Sequence, residues 1–501
     1  MKKIIKDLNK IQIISYIILV GASALFMLLF AYNTSPVFKY IGVDSGMYLV
    51  MGKAMAHGET LYSGLFDHKG PVIFILNMLP QLLIDGTLGV WLIELSMLII
   101  SAVIIYKIAT RHIGNTLSLC VTFIYIWITV TLFNGGNYTE EYSNFFCIIS
   151  LYIFDKWQSE KNLTSKMSYL LGLCFGVVFL TRPNNVALIV SIILFIGIYI
   201  LIKSRQKTTQ VGKSTLLMLR SALFFGFLGF MTVTLPIIIY HLYTGTLYDM
   251  FYATFLHNIK YCQVGYEHFR LIPNGNSPQL LCFFIALGIN IISMCTCYSS
   301  DEIKIGNFIL LSSIVIPSAI LIGRHPYIYY WTLLAPLTAY SAIFLIKYGI
   351  KIKKKPLSII ALTLIFAFMC TNSFLGSDLT KKKNYITEYK RNIHEMYNQI
   401  PDDEKNDCFS YNIPAMFIYE VGLNTPCKYF TMQTWMAKIN PDIAKYCTEY
   451  VKKNNPEWVL SLYNFEQDNT NPELSEIINT SYTQVFNNDS GYLYRKVDSL
   501  H

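Results

Sequence analysis

The chain has 501 residues, 53% apolar and only 14% charged, with a formal net charge of +9 and a mean hydropathy of +0.41. An ordinary soluble domain carries about 25% charged residues, so a soluble enzyme, a disordered chain and a nucleic-acid-binding module all fit poorly. The charge is also uneven: 30 charged residues fall within 376–501, and the first 375 positions hold 41. That contrast predicts a polytopic membrane domain over 1–375 and a water-soluble domain over 376–501.

A helix needs about 20 apolar residues to cross the hydrocarbon core. In chain order, the runs that meet or approach this length lie at 11–31, 87–106, 114–133, 143–155, 167–181, 186–202, 215–242, 278–297, 306–323, 329–346 and 356–375. Two of them, 143–155 and 167–181, are short. Lys and Arg mark cytoplasmic loops, here Lys2 to Lys10, Lys107 and Arg111, Lys156 to Lys166, Lys203 to Lys213, and Lys347 to Lys355. Residues 71–85 are apolar as well, yet a crossing there would put Lys107 and Arg111 outside. They read instead as a helix in the outer interface. The expectation is a mainly α-helical, multi-pass cell-membrane protein with about eleven crossings, a cytoplasmic N-terminus and an extracytoplasmic C-terminal domain. Topogenic Lys and Arg account for the positive balance, so no nucleic-acid partner is called for.

Carboxylates are costly in a bilayer, which makes the 14 acidic residues before position 376 informative. Asp44, Glu59, Asp67, Glu140, Glu141, Asp249 and Glu267 fall in outer segments, Asp85 lies near an interface, and Glu94 lies within a span, paired or near its end. Two short early loops are the densest. The first reads Asp44-Ser-Gly-Met-Tyr48, then an amphipathic stretch, then Gly58-Glu-Thr-Leu-Tyr62 and Asp67-His68-Lys69-Gly-Pro71. Helical spacing from Tyr48 to Ala56 predicts a helix on the outer surface, which would bring Asp44 and Asp67 to one side of the membrane. The second loop reads Asn134-Gly-Gly-Asn137-Tyr-Thr-Glu140-Glu141-Tyr142, with glycines suited to a tight turn. Acids in outer loops are more often solvated than catalytic, and their density here shifts that balance without reversing it.

The first-loop motif resembles the first extracytoplasmic loop of bacterial GT-C superfamily glycosyltransferases, relatives of the protein O-mannosyltransferases and lipid A aminoarabinose transferases. Asn137 to Glu141 resembles their second acidic loop, Thr181-Arg182-Pro183-Asn184 their Arg-Pro turn, and Gly323-Arg324 with Tyr327 to Tyr330 and Pro336 their late motif. Tyr411 to Phe430 and Asn455 to Lys496 are similar in character to their outer domain. There are departures: Ser45 stands where the mannosyltransferases have Glu, Met47 where the aminoarabinose transferases have Arg, and Tyr329 where a His is usual.

The resemblance implies transfer of a sugar from a polyprenyl-phosphate donor to an extracytoplasmic glycan, lipid or protein acceptor, with inversion at the anomeric carbon. Such a reaction needs a carboxylate base near the acceptor hydroxyl. Asp44 is the expected base, Asp67 a second carboxylate, and Glu140 or Glu141 a positioning group. Neighbouring carboxylates would raise one another's pKa. The departing lipid phosphate needs cations, first Lys69, then Arg324, Arg270 and Arg182. His68, Tyr62 and Tyr329 complete the expected substrate contacts. No metal and no cofactor is expected, since no spacing among the histidines makes a metal site, although Asp44 with Glu140 or Glu141 is a conceivable divalent-cation pair.

Segment 243–277 is long and rich in Tyr, an interfacial belt or a cover over the site. In the C-terminal part, strands are expected at Ala415–Glu420, Trp458–Leu462 and Gly491–Arg495, and helices at 382–398, 440–454 and 472–479, a small α/β domain. Cys408, Cys427 and Cys447 allow one disulfide there without choosing the pair. Tyr429 and Trp435 read as core more than as acceptor contacts. The alternative functions are a transporter or flippase of lipid-linked saccharide, or an oligosaccharide polymerase. The internal symmetry common in transporters is absent from the sequence, and a polymerase would carry its polar weight in later loops.

Overall fold

The computed structural model describes residues 10–38, 40–205, 209–264, 270–300, 302–325, 327–351, 379–424 and 427–497. It is mainly helical, with one small sheet. Among the described residues, eight helices are long and apolar enough to cross a membrane: Lys10–Phe30, Leu88–Thr110, Asn115–Leu132, Pro183–Ile202, Leu217–Tyr243, Ser277–Ser299, Ile303–Ile322 and Ile328–Gly349. The two short apolar runs are also helical, as Thr139–Glu160 and Ser165–Thr181. The first of these is 22 residues long because polar flanks extend its apolar middle. Left-handed Lys161 (φ 53°) ends it, and Thr164 caps the next helix by accepting from the Met167 amide at 3.3 Å. The expected span 356–375 and the expected boundary at 375/376 lie outside the described residues.

The chain packs as two compact units. The first comprises Met1–Val37, Trp91–Ile239 and His268–Ser377. Its core is aromatic and aliphatic: Phe154 lies against Phe308 with ring centroids 4.0 Å apart. Buried polar pairs tie its helices together, for example Asn290 Nδ2 donating to Thr338 Oγ1 at 3.1 Å.

The second unit comprises Phe38–Val90, Tyr240–Glu267 and Asp378–His501. Here the first-loop helix runs Val43–Ala56 and packs between helices Pro71–Gln81 and Ala415–Val421. Ser45 through Gly52 are buried, so the expected surface helix is instead enclosed by protein. Small residues permit this. A Cβ on Gly46 would stand 2.7 Å from the Met416 amide nitrogen, so only glycine lets the two helices approach so closely. Helix Pro71–Gln81 has 11 residues, about 16 Å at 1.5 Å per residue, too short to cross a core of about 30 Å.

The outer sheet has strands β1 (Cys408–Tyr411), β2 (Trp458–Ser461), β3 (Tyr482–Asn488) and β4 (Gly491–Lys496) in the order β1-β2-β4-β3. β1 and β2 are parallel, and β4 is antiparallel to both β2 and β3. Helices Leu379–Tyr397, Pro441–Asn454 and Pro472–Ser481 fall where expected. The expected strand at Ala415–Glu420 is a helix, Ala415–Val421. Four consecutive apolar residues carry no period of their own, and the flanks decide: Pro414 precedes the first turn and left-handed Gly422 (φ 66°) closes the last. Segment 243–277, expected as an interfacial belt or a cover, is helical over Leu247–Phe251, a π-helical turn at Tyr252–Leu256, and His257–Val264. Of the three outer cysteines, Cys427 and Cys447 meet, and their hydrogen bond together with burial pushes the Cys447 thiol up.

Candidate active-site elements

In the second unit, Asp67, His68 and Lys69 are all buried, at 4%, 6% and 9% exposure. Such burial is rare for charged groups unless they are paired, and these are. Asp67 Oδ1 lies 3.2 Å from His68 Nδ1 and 3.7 Å from Lys69 Nζ. Lys69 Nζ is in turn 3.2 Å from His68 Nε2. An ammonium can only donate, so Nε2 accepts and the imidazole proton sits on Nδ1, facing Asp67. Burial alone would raise the Asp67 carboxyl, but Lys69 and His68 outweigh it and hold the group below the usual carboxylate range. This reverses the expected upward shift from neighbouring carboxylates: the groups facing Asp67 are cationic or hydrogen-bond donors.

The loop is held from several directions. The Tyr62 hydroxyl donates to the Lys69 carbonyl at 2.7 Å, from a fully buried residue in left-handed conformation (φ 68°). The Asn258 side chain donates to the His68 carbonyl at 2.7 Å, and the Phe66 amide donates to the Lys428 carbonyl at 2.9 Å. Aromatic rings close the surroundings: His68 lies 5.0 Å from Tyr261, 5.3 Å from Trp435 and 5.7 Å from His257, between ring centroids. His257 is fully buried, and neither ring nitrogen has a partner among the described residues. Burial, with His68 and the nearby lysines, pushes its pKa down to about 3, so it is neutral. Sequence reading passed over His257 and gave Trp435 to the core. Both come from segments far from the loop in the chain, and no local signal marks them. Asp44 lies in the first turn of helix Val43–Ala56, half-buried.

In the first unit, the turn Asn134-Gly135-Gly136-Asn137 has four successive positive φ angles, 54°, 99°, 83° and 59°. Glu94 organises it. Its carboxylate accepts from the Asn137 amide and from the Thr34 hydroxyl, and it is 1% exposed. A Cβ on Gly136 would stand 2.7 Å from Glu94 Oε1. Glu141 Oε2 accepts from the same Asn137 amide at 2.9 Å. Glu140 turns elsewhere: its Oε1 accepts from Arg182 Nη1 at 2.6 Å, and Arg182 lies over the Tyr330 ring at 4.1 Å. Tyr329 stacks on Tyr138 at 4.2 Å. Arg182, expected as a phosphate ligand, is therefore tied to Glu140. Arg324 has a left-handed backbone (φ 57°), and Arg270 is exposed, 3.4 Å from Asn274 Oδ1.

Among the described residues no group of three or more His, Cys, Asp or Glu gathers as a metal cage. The residues brought together are thus Asp67 with His68 and Lys69 in one unit, and Glu94 with Glu141, and Glu140 with Arg182, in the other.

This architecture is shared with proteins of known structure. ArnT from Cupriavidus metallidurans, solved bound to undecaprenyl phosphate, superposes with a TM-score of 0.63 at 13% identity, over 97% of this chain and 98% of that one. Its apo form gives 0.60 at 12% identity, with 97% and 98% covered. The archaeal oligosaccharyltransferase AglB from Archaeoglobus fulgidus, solved with an inhibitory peptide and a dolichol-phosphate, gives 0.50 at 10% identity over 98% of this chain and 75% of that one. No protein-family model and no curated protein sequence matches the chain significantly. At such identities the likeness is one of fold.

Proposed function

We propose that this protein is a membrane glycosyltransferase that moves a sugar from a polyprenyl-phosphate carrier to an acceptor at the extracytoplasmic face, inverting the anomeric centre. The observation that carries this reading is Lys69, a buried cation fixed by Asp67 and His68, in a chain that shares its fold with proteins solved holding undecaprenyl phosphate and dolichol-phosphate. Lys69 is the group that meets the donor phosphate and stabilises the charge it gains as the glycosidic bond breaks. Asp67 holds Lys69 in place. With its pKa held low, Asp67 is a weak base, so Asp44 takes the acceptor proton. His68 bridges Asp67 and Lys69, and Tyr62 positions the loop through the Lys69 carbonyl. Glu140 and Glu141 position substrate, with Arg182 and Tyr329 behind them, and Arg324 and Arg270 are the further cations for the phosphate. The reaction so read needs no metal or cofactor.

The eight long apolar helices, the helices Thr139–Glu160 and Ser165–Thr181, and the apolar run 356–375 together support eleven crossings. With a cytoplasmic N-terminus this places the first loop and the C-terminal domain outside, and Pro71–Gln81 at the outer interface.

The test is transfer by the purified, reconstituted protein from synthetic polyprenyl-phosphate sugars to cell-envelope acceptors. It is paired with mass analysis of envelope glycans with and without the gene. Asp44→Asn should abolish transfer while leaving folding and insertion intact; full activity in that variant would sink the mechanism.

A further inference from the structure

The outer domain carries a second concave surface, a cleft of about 650 Å³, within the usual range of small-ligand sites. It lies beyond the carboxyl ends of β1 and β2, the only parallel pair among the described strands, and that is where open sheets with parallel strands bind ligands. Its floor and one wall come from the segment after β2, which contributes Tyr463, Asn464, Gln467, Asp468 and Asn469, with Tyr492 from β4 beside them. Helix Thr434–Ile439 forms the opposite wall through Thr434, Ala437 and Lys438. Between those positions, Trp435 packs on His68 instead. A single short helix thus touches both the cleft and the loop that carries Lys69.

The segment after β2 is built, not slack. Asn464 Oδ1 accepts from the Glu466 amide at 2.9 Å and from the Tyr494 hydroxyl at 3.2 Å. The Phe465 amide donates to that same hydroxyl at 3.2 Å. Asp468 is only 8% exposed. Its Oδ1 accepts from the Thr470 amide at 2.9 Å, and its carboxylate also faces the buried Tyr411 hydroxyl. Burial and Asp468 push the Tyr411 hydroxyl up.

The lining selects the ligand class. A carboxylate oxygen and three side-chain amides accept and donate to hydroxyls, and the Tyr463 ring, 48% exposed, offers a flat apolar face to the carbon side of a pyranose. Lys438 balances Asp468, so the cleft attracts neither polyanion nor polycation. Leu462 and Ala437 are too little apolar surface for a lipid tail. We infer that this cleft binds a neutral saccharide chain, the acceptor glycan, and presents it beside helix Thr434–Ile439. This rests on the glycosyl-transfer reading above and extends it to the acceptor.

The experiment is direct binding, independent of transfer, to the full-length protein in nanodiscs, followed by saturation-transfer NMR. The probes are neutral di- to hexasaccharides of hexoses and N-acetylhexosamines, with short peptides as a control. At least one saccharide should bind. Tyr463→Ala, at an exposed position, and Asp468→Asn should each weaken it at least tenfold. No saccharide binding, binding indifferent to both cleft variants, or binding of peptides alone would overturn the inference. Saccharide binding lost in Tyr463→Ala, with no transfer by the wild type, would uphold the cleft and defeat the reaction instead.

Discussion

Trp435 stands edge-on to His68, with ring centroids 5.3 Å apart and ring planes at 84°. His68 is the imidazole that bridges Asp67 and Lys69, so a ring from the C-terminal part of the chain packs on a first-loop side chain. Tyr261 completes the contact, 4.7 Å from Trp435 and 5.0 Å from His68. Edge-on aromatic packing is worth about 0.5–1.5 kcal/mol beyond the area it buries. That is enough to bias one rotamer of His68 but not to hold the fold.

Removing that ring should therefore act on donor use more than on stability. For Trp435→Ala, transfer assayed against donor concentration should show a KM for donor raised several-fold, with kcat reduced less. Trp435→Phe should recover most of the loss. An unchanged donor KM in Trp435→Ala would separate the outer domain from the Lys69 loop.

Lys69 and Asp67 should separate stability from catalysis. Removing one member of a buried ion pair costs about 3–5 kcal/mol, because the other is left uncompensated. Lys69→Met and Asp67→Asn should each lower the unfolding temperature in detergent. The double variant should recover much of that loss while remaining inactive, since the phosphate then has no cation. A double variant as unstable as either single would show that the two charges do not depend on each other.

The spans were legible because an apolar run of some 20 residues needs no tertiary partner to declare itself. The first loop drew attention for the opposite reason: Asp, His and Lys crowd into three positions between apolar segments. What stayed hidden depends on distant neighbours. Asp67 was expected among carboxylates and instead faces Lys69 and His68, a matter of side-chain direction that spacing does not encode. Glu94 looked like one acid in a span, yet its partners come from Thr34 and Asn137. Ala415–Val421 lacked a period because every one of its first four side chains is buried.

Acid should destabilise the second unit in two windows. The folded pKa of His257, about 3 against 6.5 for an unperturbed histidine, is depressed. The unfolded state therefore binds the extra proton first, and stability present above about pH 6.5 is lost as pH falls toward 3. The Asp67 pKa is depressed also, so its contribution is intact above about pH 4 and lost below that. Thermal unfolding followed from pH 7 to pH 3.5 should show a falling midpoint. His257→Phe should flatten the slope between pH 6.5 and 4, and Asp67→Asn, already less stable at neutral pH, should change the slope only below about pH 4. An unaltered slope in His257→Phe would assign the acid sensitivity to other groups.

In the first unit, Glu140 and Arg182 form a pair at 2.6 Å with side chains 2% and 16% exposed. Arg182→Ala leaves the carboxylate buried and unpaired, at a cost of about 3–5 kcal/mol, and it also strips the cation from the Tyr330 ring. Lysine cannot reproduce the planar contact of arginine, so Arg182→Lys should restore part of the charge balance and little of the stacking. Glu140→Gln combined with Arg182→Met removes both charges while keeping much of the volume, and should unfold near the wild-type temperature. If the pair serves to position substrate, that stable double variant still loses at least tenfold in kcat/KM. Wild-type transfer by the double variant would make the pair purely structural, and would leave Glu141, on the Asn137 amide, as the carboxylate of the second loop that meets substrate.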